Sequence, residues 1–278
     1  MTTNLIEQWH QQRKTFNSAD AKSIHTMHKL KEQGKQAEPT EANLRILVDI
    51  YCMLRMYNEA YKVFTAVMDL TNKKDQKKYG SIKYWVDNPQ HVSPLLPRDI
   101  QETNELTTPL PTFKYMPNPL QTGVFEIGEI VVCDCCEQEV DIYCTKGIYA
   151  IEEVEYLCPS CIHSGRAAQK FDGEFQQDLL NPELVSNEDY TKEVLYRTPG
   201  YISWQGNNWL AHCTDYCAFL GYVGWQELMD MGITKVLEHV NGYTHEELAA
   251  TLRNNGSHQG YLFQCLECQQ YIVYSDWD

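Results

Sequence analysis

Apolar residues recur at three- and four-residue steps through the first third of the chain, then give way to short alternating runs. The clearest stretch runs from Leu44 to Leu70, where Leu44, Leu47, Tyr51, Leu54, Tyr57, Tyr61, Phe64 and Val67 share one helical face. Residues 1 to about 85 therefore read as helical. Asn4–Phe16 and Ala21–Gln33 are candidate packing helices, and Pro39 opens the next one.

Within this region Leu47, Tyr51, Ala60 and Phe64 resemble the packing signature of a single tetratricopeptide hairpin, with Met56-Tyr57-Asn58 at its turn. Asn72 replaces the final proline of that motif. One repeat cannot bury its own face, so an ordinary helical hairpin packed on another helix is expected. Between 86 and 120 the prolines Pro89, Pro94, Pro97, Pro109, Pro111, Pro117 and Pro119 argue against a long helix or a central strand. After Gly123 short strand patterns take over. Ile130–Cys133 pairs with Val140–Cys144, Tyr201–Trp204 with Trp209–His212 about Gly206-Asn207, and Gly260–Gln264 with Gln270–Tyr274. Glu155–Leu157 leads into a helix over Ile162–Lys170, and Trp225–Met231 forms another. A further helix opens at Thr244, where Glu247 completes a capping box. The fold class is α+β: a helical domain over 1–87, a Pro-rich linker over 88–108, and a cysteine-rich domain of short hairpins and helices over 109–278.

Eight of the 11 cysteines lie in four close pairs: Cys133–Cys136, Cys158–Cys161, Cys213–Cys217 and Cys265–Cys268. Two such pairs supply the four thiolates of a tetrahedral zinc site, with sulfurs about 2.3 Å from the metal. The first two follow the order knuckle, strands, knuckle, helix of a treble-clef module, with 21 residues between Cys136 and Cys158. The second site is then Cys213, Cys217, Cys265 and Cys268, closed by a loop of 47 residues. Interleaved pairing stays open, and His212 could replace a thiolate. Cys135 is an alternative to its neighbours, Cys144 reads as a half-buried strand residue, and Cys52 lies on the helical core stripe. All-thiolate sets without an acid–base motif predict two structural Zn2+ ions and no enzymatic role.

Charge changes the picture of partners. Residues 1–105 carry 15 Lys and Arg against 13 Asp and Glu, whereas residues 106–278 carry 8 against 25. Two four-thiolate zinc sites would bring the second part from −17 to about −21. Such a surface repels nucleic acid and attracts a basic protein. Candidate contact residues are Glu152, Glu153, Glu155, Asp172, Glu174, Glu183, Glu188 and Asp189. Asp172 and Glu174 flank Gly173, which also reads as a turn after a helix. Tyr201, Trp204, Trp209, Phe219, Tyr222 and Trp225 could stack bases, but the scarcity of basic residues favours a core role. Neither a span of about 20 apolar residues nor a secretory leader is visible, so a cytoplasmic location is expected.

The segments Leu110-Pro-Thr-Phe-Lys-Tyr115, Pro117-Asn-Pro119, Cys133-Asp-Cys-Cys136, Glu155–Cys161, Lys170–Phe175, Thr198–Gly206, Trp209–Cys213, Cys217–Trp225 and Gly260–Cys265 with Cys268 resemble, in order, the CbrC family of bacterial colicin-tolerance proteins. The resemblance covers 110–278 and leaves the helical part outside. It implies tolerance to a DNA-damaging bacteriocin. With the charge asymmetry, the expected function is an immunity protein that binds and neutralises a basic nuclease toxin. A zinc-stabilised adaptor or stress protein with a peptide-binding helical arm is the alternative.

Overall fold

The structure is a computed structural model that describes residues 5–88, 92, 94–99, 106–240 and 242–278. Asn4 and much of the expected 88–108 linker (89–91, 93 and 100–105) lie outside the described residues. The fold is mixed α+β, with helices first and small, mostly antiparallel sheets carrying the cysteine clusters afterwards. The chain divides into two compact units: Met1–Ile100 with the turn Glu267–Gln269, and Gln101–Leu266 with Gln270–Asp278.

Among the described residues, five α-helices build the first unit: α1 (Leu5–Thr15), α2 (Ala21–Gln36), α3 (Glu41–Met53), α4 (Tyr57–Phe64) and α5 (Lys73–Asp87). Leu47, Tyr51, Ala60 and Phe64 all enter its core, beside Ile24, Met27, Leu30 and Ile50. Asp20 and Thr40 cap α2 and α3 with side-chain acceptors, which satisfies otherwise unpaired amides of the first turn. Asn72, where the helical-repeat motif has proline, caps α5 by accepting from the Lys74 amide. Helix α4 stops at Phe64 rather than running on to Leu70, because the chain must turn before α5 folds back. Arg45 clamps that return. It donates to both Asp75 carboxylate oxygens at 3.0 and 2.8 Å and to the Val67 carbonyl at 2.8 Å.

The second unit holds three small sheets. Strands β1 (Phe125–Val132) and β2 (Glu139–Cys144) form a hairpin with an irregularity between Ile127 and Val131, where Gly128 sits at φ +106°. Strand β4 (Asn208–His212) pairs parallel with β3 (Asp178–Leu180) and antiparallel with β5 (Asp215–Tyr216). Strands β6 (Ala218–Val223), β7 (His258–Gln264) and β8 (Tyr271–Trp277) form an antiparallel meander. Short helices α6 (Pro159–His163), α7 (Arg166–Phe171), α8 (Glu188–Arg197), α9 (Trp225–Asp230) and α10 (His245–Thr251) fill the connections. The Thr244–Glu247 capping box forms as expected.

Two local expectations are corrected. The helix expected over Ile162–Lys170 is two helices, α6 and α7, broken at Gly165, whose φ of +77° no right-handed helix accommodates. Tyr201–Trp204 is not a strand. The Tyr201 side chain turns inward, its hydroxyl donating to the Asn208 carbonyl at 2.6 Å and accepting from the Asn208 amide at 2.9 Å. A phenol thus occupies the backbone groups that a hairpin ladder would have used, and β4 finds β3 instead.

The aromatic residues split between two roles. Tyr201, Trp209, Phe219, Tyr261 and Phe263 form a buried cluster, with the Tyr201 and Phe219 rings stacked at 4.3 Å. Trp225 packs on a separate apolar cluster around Leu228, Leu248, Leu252 and Leu262. Trp204 stays half exposed. The segment containing Phe113-Lys114-Tyr115 is fixed to β5 through the buried Asp215, which accepts from Tyr115 at 2.6 Å and from Lys114 at 2.7 Å.

Candidate metal centres

The first centre is assembled from two local devices. Cys133 and Cys136 occupy the turn between β1 and β2, a knuckle closed by the Cys133 amide donating to the Gln138 carbonyl at 2.9 Å. Glu137 takes the left-handed conformation (φ 61°) that lets the chain reverse directly after Cys136. The other pair stands at a helix start. Cys158 is the N-cap residue of α6, Pro159 follows it, and Cys161 lies in the first turn. The four sulfurs lie within 4.8 Å of one another, with Cys136 and Cys158 at 3.9 Å.

Hydrogen bonds favour the thiolate at one sulfur of this cluster, while burial holds Cys161 in the protonated form. The Cys133 thiol is drawn well below its ordinary range, first because Cys158 hydrogen-bonds to it and then because backbone amides of Cys158, Cys136 and Cys135 point at its sulfur. The Cys158 amide reaches that sulfur at 3.2 Å. Cys158 is pushed up correspondingly, by its pairing with Cys133 and by burial. Outside, Arg166 donates to the Cys161 sulfur at 3.4 Å, and Lys170 donates to the carbonyls of Asp134 and Cys135 at 2.7 and 3.1 Å. Four sulfurs gathered this closely could hold one metal ion.

The second centre repeats the first knuckle almost residue for residue. Cys265 and Cys268 sit between β7 and β8, the Cys265 amide donates to Gln270 at 2.9 Å, and Gln269 is left-handed (φ 64°). Cys-x-x-Cys-Glu-Gln at 133–138 and Cys-x-x-Cys-Gln-Gln at 265–270 thus encode one turn twice. The partners of this knuckle are His212 and Cys213, so the cluster is His212, Cys213, Cys265 and Cys268.

Cys217, expected as its fourth ligand, is therefore replaced by His212. Cys213 adopts φ 57° at the tip of a tight turn, where His212 pairs directly with Asp215. The chain then runs back along β4, so the Cys217 amide bonds to the Leu210 carbonyl at 2.8 Å and its side chain is fully buried. His212 and Cys213 end side by side, Nδ1 to Sγ 3.3 Å. Adjacent side chains diverge along a strand, but at its end the turn swings Cys213 back towards His212. Three thiolates and a neutral imidazole around a divalent ion carry −1, so the formal charge of residues 106–278 with both sites filled is about −20 rather than −21.

Cys135, the alternative to its neighbours, is not one of the four clustered sulfurs but hydrogen-bonds Cys161 beside them. Cys144 is buried on β2 and Cys52 packs on the helical core, and burial raises both thiols to about 11. Of the acidic candidates, Glu152, Glu153, Glu155, Asp172, Glu183, Glu188 and Asp189 are exposed. Lys192 lies 3.7 Å from both Glu188 and Asp189. Glu174 is half buried and accepts from the Tyr196 hydroxyl at 3.3 Å. Asp172 ends α7 in the left-handed conformation, the turn role that Asp-Gly suggests.

The family model of an uncharacterised protein family, UPF0167, matches residues 110–277, more than half of the chain. The chain belongs to the UPF0167 family. UPF0167 proteins of Mycobacterium bovis and Mycobacterium tuberculosis are each 40% identical over 182 residues, 62% of this chain and 97% of their own length. A UPF0167 protein of Pseudomonas aeruginosa is 33% identical over 172 residues, 59% of this chain and 96% of its own. No solved structure matches. These findings correct the resemblance to the CbrC colicin-tolerance family, since the matching family and relatives carry the UPF0167 description and no colicin-tolerance name. Helices α1–α5 lie outside the UPF0167 match. No helix among the described residues is long and apolar enough to cross a membrane.

Proposed function

We propose that the UPF0167 unit is a non-catalytic docking module, folded around two structural zinc ions, whose acidic surface binds a basic protein. Zinc is favoured by the donor sets, four thiolates in one site and three thiolates with an imidazole in the other, which suit a closed tetrahedral ion. The observation that carries the binding reading is the fate of the few basic side chains. Lys114 is drawn onto Asp215, Arg166 onto the Cys161 sulfur, and Lys170 onto knuckle carbonyls. Arg197 caps the His163 carbonyl, and Arg253 donates to the carbonyls of Ala249, Ala250 and Leu252 at the end of α10. Five of the 8 cations after residue 105 thus serve internal acceptors, while carboxylates such as Glu152, Glu153, Glu155 and Glu183, of the 25 in the same part of the chain, are exposed. A surface of this kind speeds encounter with a basic partner and rejects nucleic acid.

The partner class is a nuclease toxin, whose basic DNA-binding groove complements this surface, and the protein then acts as its stoichiometric inhibitor. Co-expression with a toxin from the neighbouring reading frame should protect cells, and the two chains should co-purify. Replacing Glu152, Glu153 and Glu155 together by Lys should slow association about tenfold or more at low salt. Absence of any complex with such a toxin would discard the inhibitor reading. The helical unit, which lies outside the family match, favours a second reading as an adaptor with several basic partners and no neighbouring toxin. Two zinc ions per chain, measured by elemental analysis after purification in chelator-free buffer, check the metal assignment.

A further inference from the structure

A cavity of about 360 Å³ lies beside the buried aromatic cluster, apart from both cysteine centres. Its walls are Ile202, Ser203, Trp204, Tyr222 and Tyr261, with Thr122, Asn255 and Gln259 completing the lining. No charged side chain lines it, among the described residues.

The loop that forms one wall is held in place. The Ile202 amide donates to the Tyr222 hydroxyl at 3.1 Å and the Trp204 amide to the Tyr261 hydroxyl at 3.3 Å. The Gln205 amide donates to Asp276 at 3.0 Å, and the Trp204 indole N–H donates to the Gly256 carbonyl at 3.2 Å. Phenols and a carboxylate thus take up the amides on either side of Ser203. The Ser203 Oγ itself is shielded from solvent and has no hydrogen-bond partner among the described residues. A buried hydroxyl left unpaired is uncommon and calls for an explanation. The loop keeps its aromatic wall at a fixed position while sparing one donor.

We propose that this cavity binds an uncharged planar heterocycle of nucleobase size, stacked on Trp204 and Tyr222 and hydrogen-bonded by Ser203 once a turn about its Cα–Cβ bond brings the shielded hydroxyl to the cavity surface. The size lies in the range of small-molecule pockets, whose lining is mostly apolar with a few placed polar groups. Chemistry narrows the class further. A sugar presents four or five hydroxyls, each needing a partner on burial. Here Thr122 is already spent on the Pro119 carbonyl, and Gln259 on the carbonyls of Val223 and Gly260. That leaves the Ser203 hydroxyl, the Tyr222 hydroxyl proton and the Asn255 amide, a number that suits a flat ring with two or three edge groups. An anion meets no cation in the lining and an acidic exterior. The aromatic faces supply stacking to any such ring. This inference is independent of the docking reading.

The test uses the full metal-loaded chain with adenine and thymine as probes, followed by ligand-observed NMR and tryptophan fluorescence. Fragments of this size should bind with Kd of about 0.1–1 mM. AMP should bind at least about tenfold more weakly than adenine, and glucose should not compete. Ser203→Ala should weaken adenine binding about fivefold, through the lost hydrogen bond, without lowering Tm. Tyr222→Phe should weaken it comparably, and Trp204→Ala should abolish it. Failure of both bases to bind saturably by about 5 mM, a range chosen from the same affinity arithmetic, overturns the proposal. So does glucose binding as well as the bases, or adenine affinity that is unchanged in both Ser203→Ala and Tyr222→Phe.

Discussion

Single residues decide the composition of the second metal centre. His212→Ala and Cys213→Ser should each leave about one zinc per chain, whereas Cys217→Ser should keep two and lower only stability, because Cys217 is a fully buried small side chain. Elemental analysis of the three variants separates these outcomes, and loss of zinc from Cys217→Ser alone would restore the four-cysteine set. A second residue reports on the helical unit. His28 donates from Nε2 to the Leu95 carbonyl, 2.6 Å away, and burial followed by the neighbouring Lys31 lowers its pKa to about 4. The unfolded chain takes up its proton near 6.5, so the folded state binds fewer protons between these values. Its contribution is therefore complete above about 6.5 and lost as pH falls towards 4, on the order of 3 kcal/mol at most. Protection of the α2 amides relative to their intrinsic exchange rates should fall as pH drops through that window, and His28→Gln should flatten the dependence.

At the scale of elements, legibility followed range along the chain. Leu47, Tyr51, Ala60 and Phe64 reveal a helical hairpin because their spacing is the helix period itself. The knuckles at Cys133 and Cys265 are equally local, since a three-residue step and the following left-handed residue fix the turn. Strand β3 was illegible: three residues, Asp178–Leu180, give no period, and their partner β4 is nearly thirty residues away in sequence. Cys217 misled for a related reason. Its spacing from Cys213 resembles a knuckle, yet Cys213 sits at a hairpin tip, and only the pairing of His212 with Asp215 discloses that. His212 was open as a replacement for a thiolate, and the signal in its favour is an imidazole abutting a thiol whose own spacing departs from the Cys-x-x-Cys of the other three pairs. Helix α5 offers a test of local encoding: Asn72→Ala removes its cap and should cost about 1 kcal/mol, measured by thermal unfolding.

For the whole molecule, family membership and charge divide the chain in the same region without naming an activity. The UPF0167 match begins at residue 110, and the acidic excess belongs to residues 106–278. Stability is expected to be divided as well. Structural zinc contributes on the order of 10 kcal/mol to the fold that holds it, so a strong chelator should melt strands β1–β8 cooperatively. The core of α1–α5 is apolar and lacks these clusters, so the helical far-UV signal of α1–α5 should largely persist. Loss of both signals together on chelation would show that the helical core depends on the metal centres.

The two knuckles are built alike, but the chain must travel different distances to complete them. Between Cys136 and Cys158 lie 21 residues; between Cys213 and Cys265 lie 51. Closing the longer loop costs only about 0.8 kcal/mol more in chain entropy, so the final affinities need not differ much. The order of events does differ, because non-local closure is slow and His212 reaches Cys265 only after β6, β7 and β8 have paired. In refolding with limiting zinc, the first ion should enter at Cys133–Cys161 and the second only later. The sequence-local centre is then the seed of the domain, and the distant one is the latch that reports its completion.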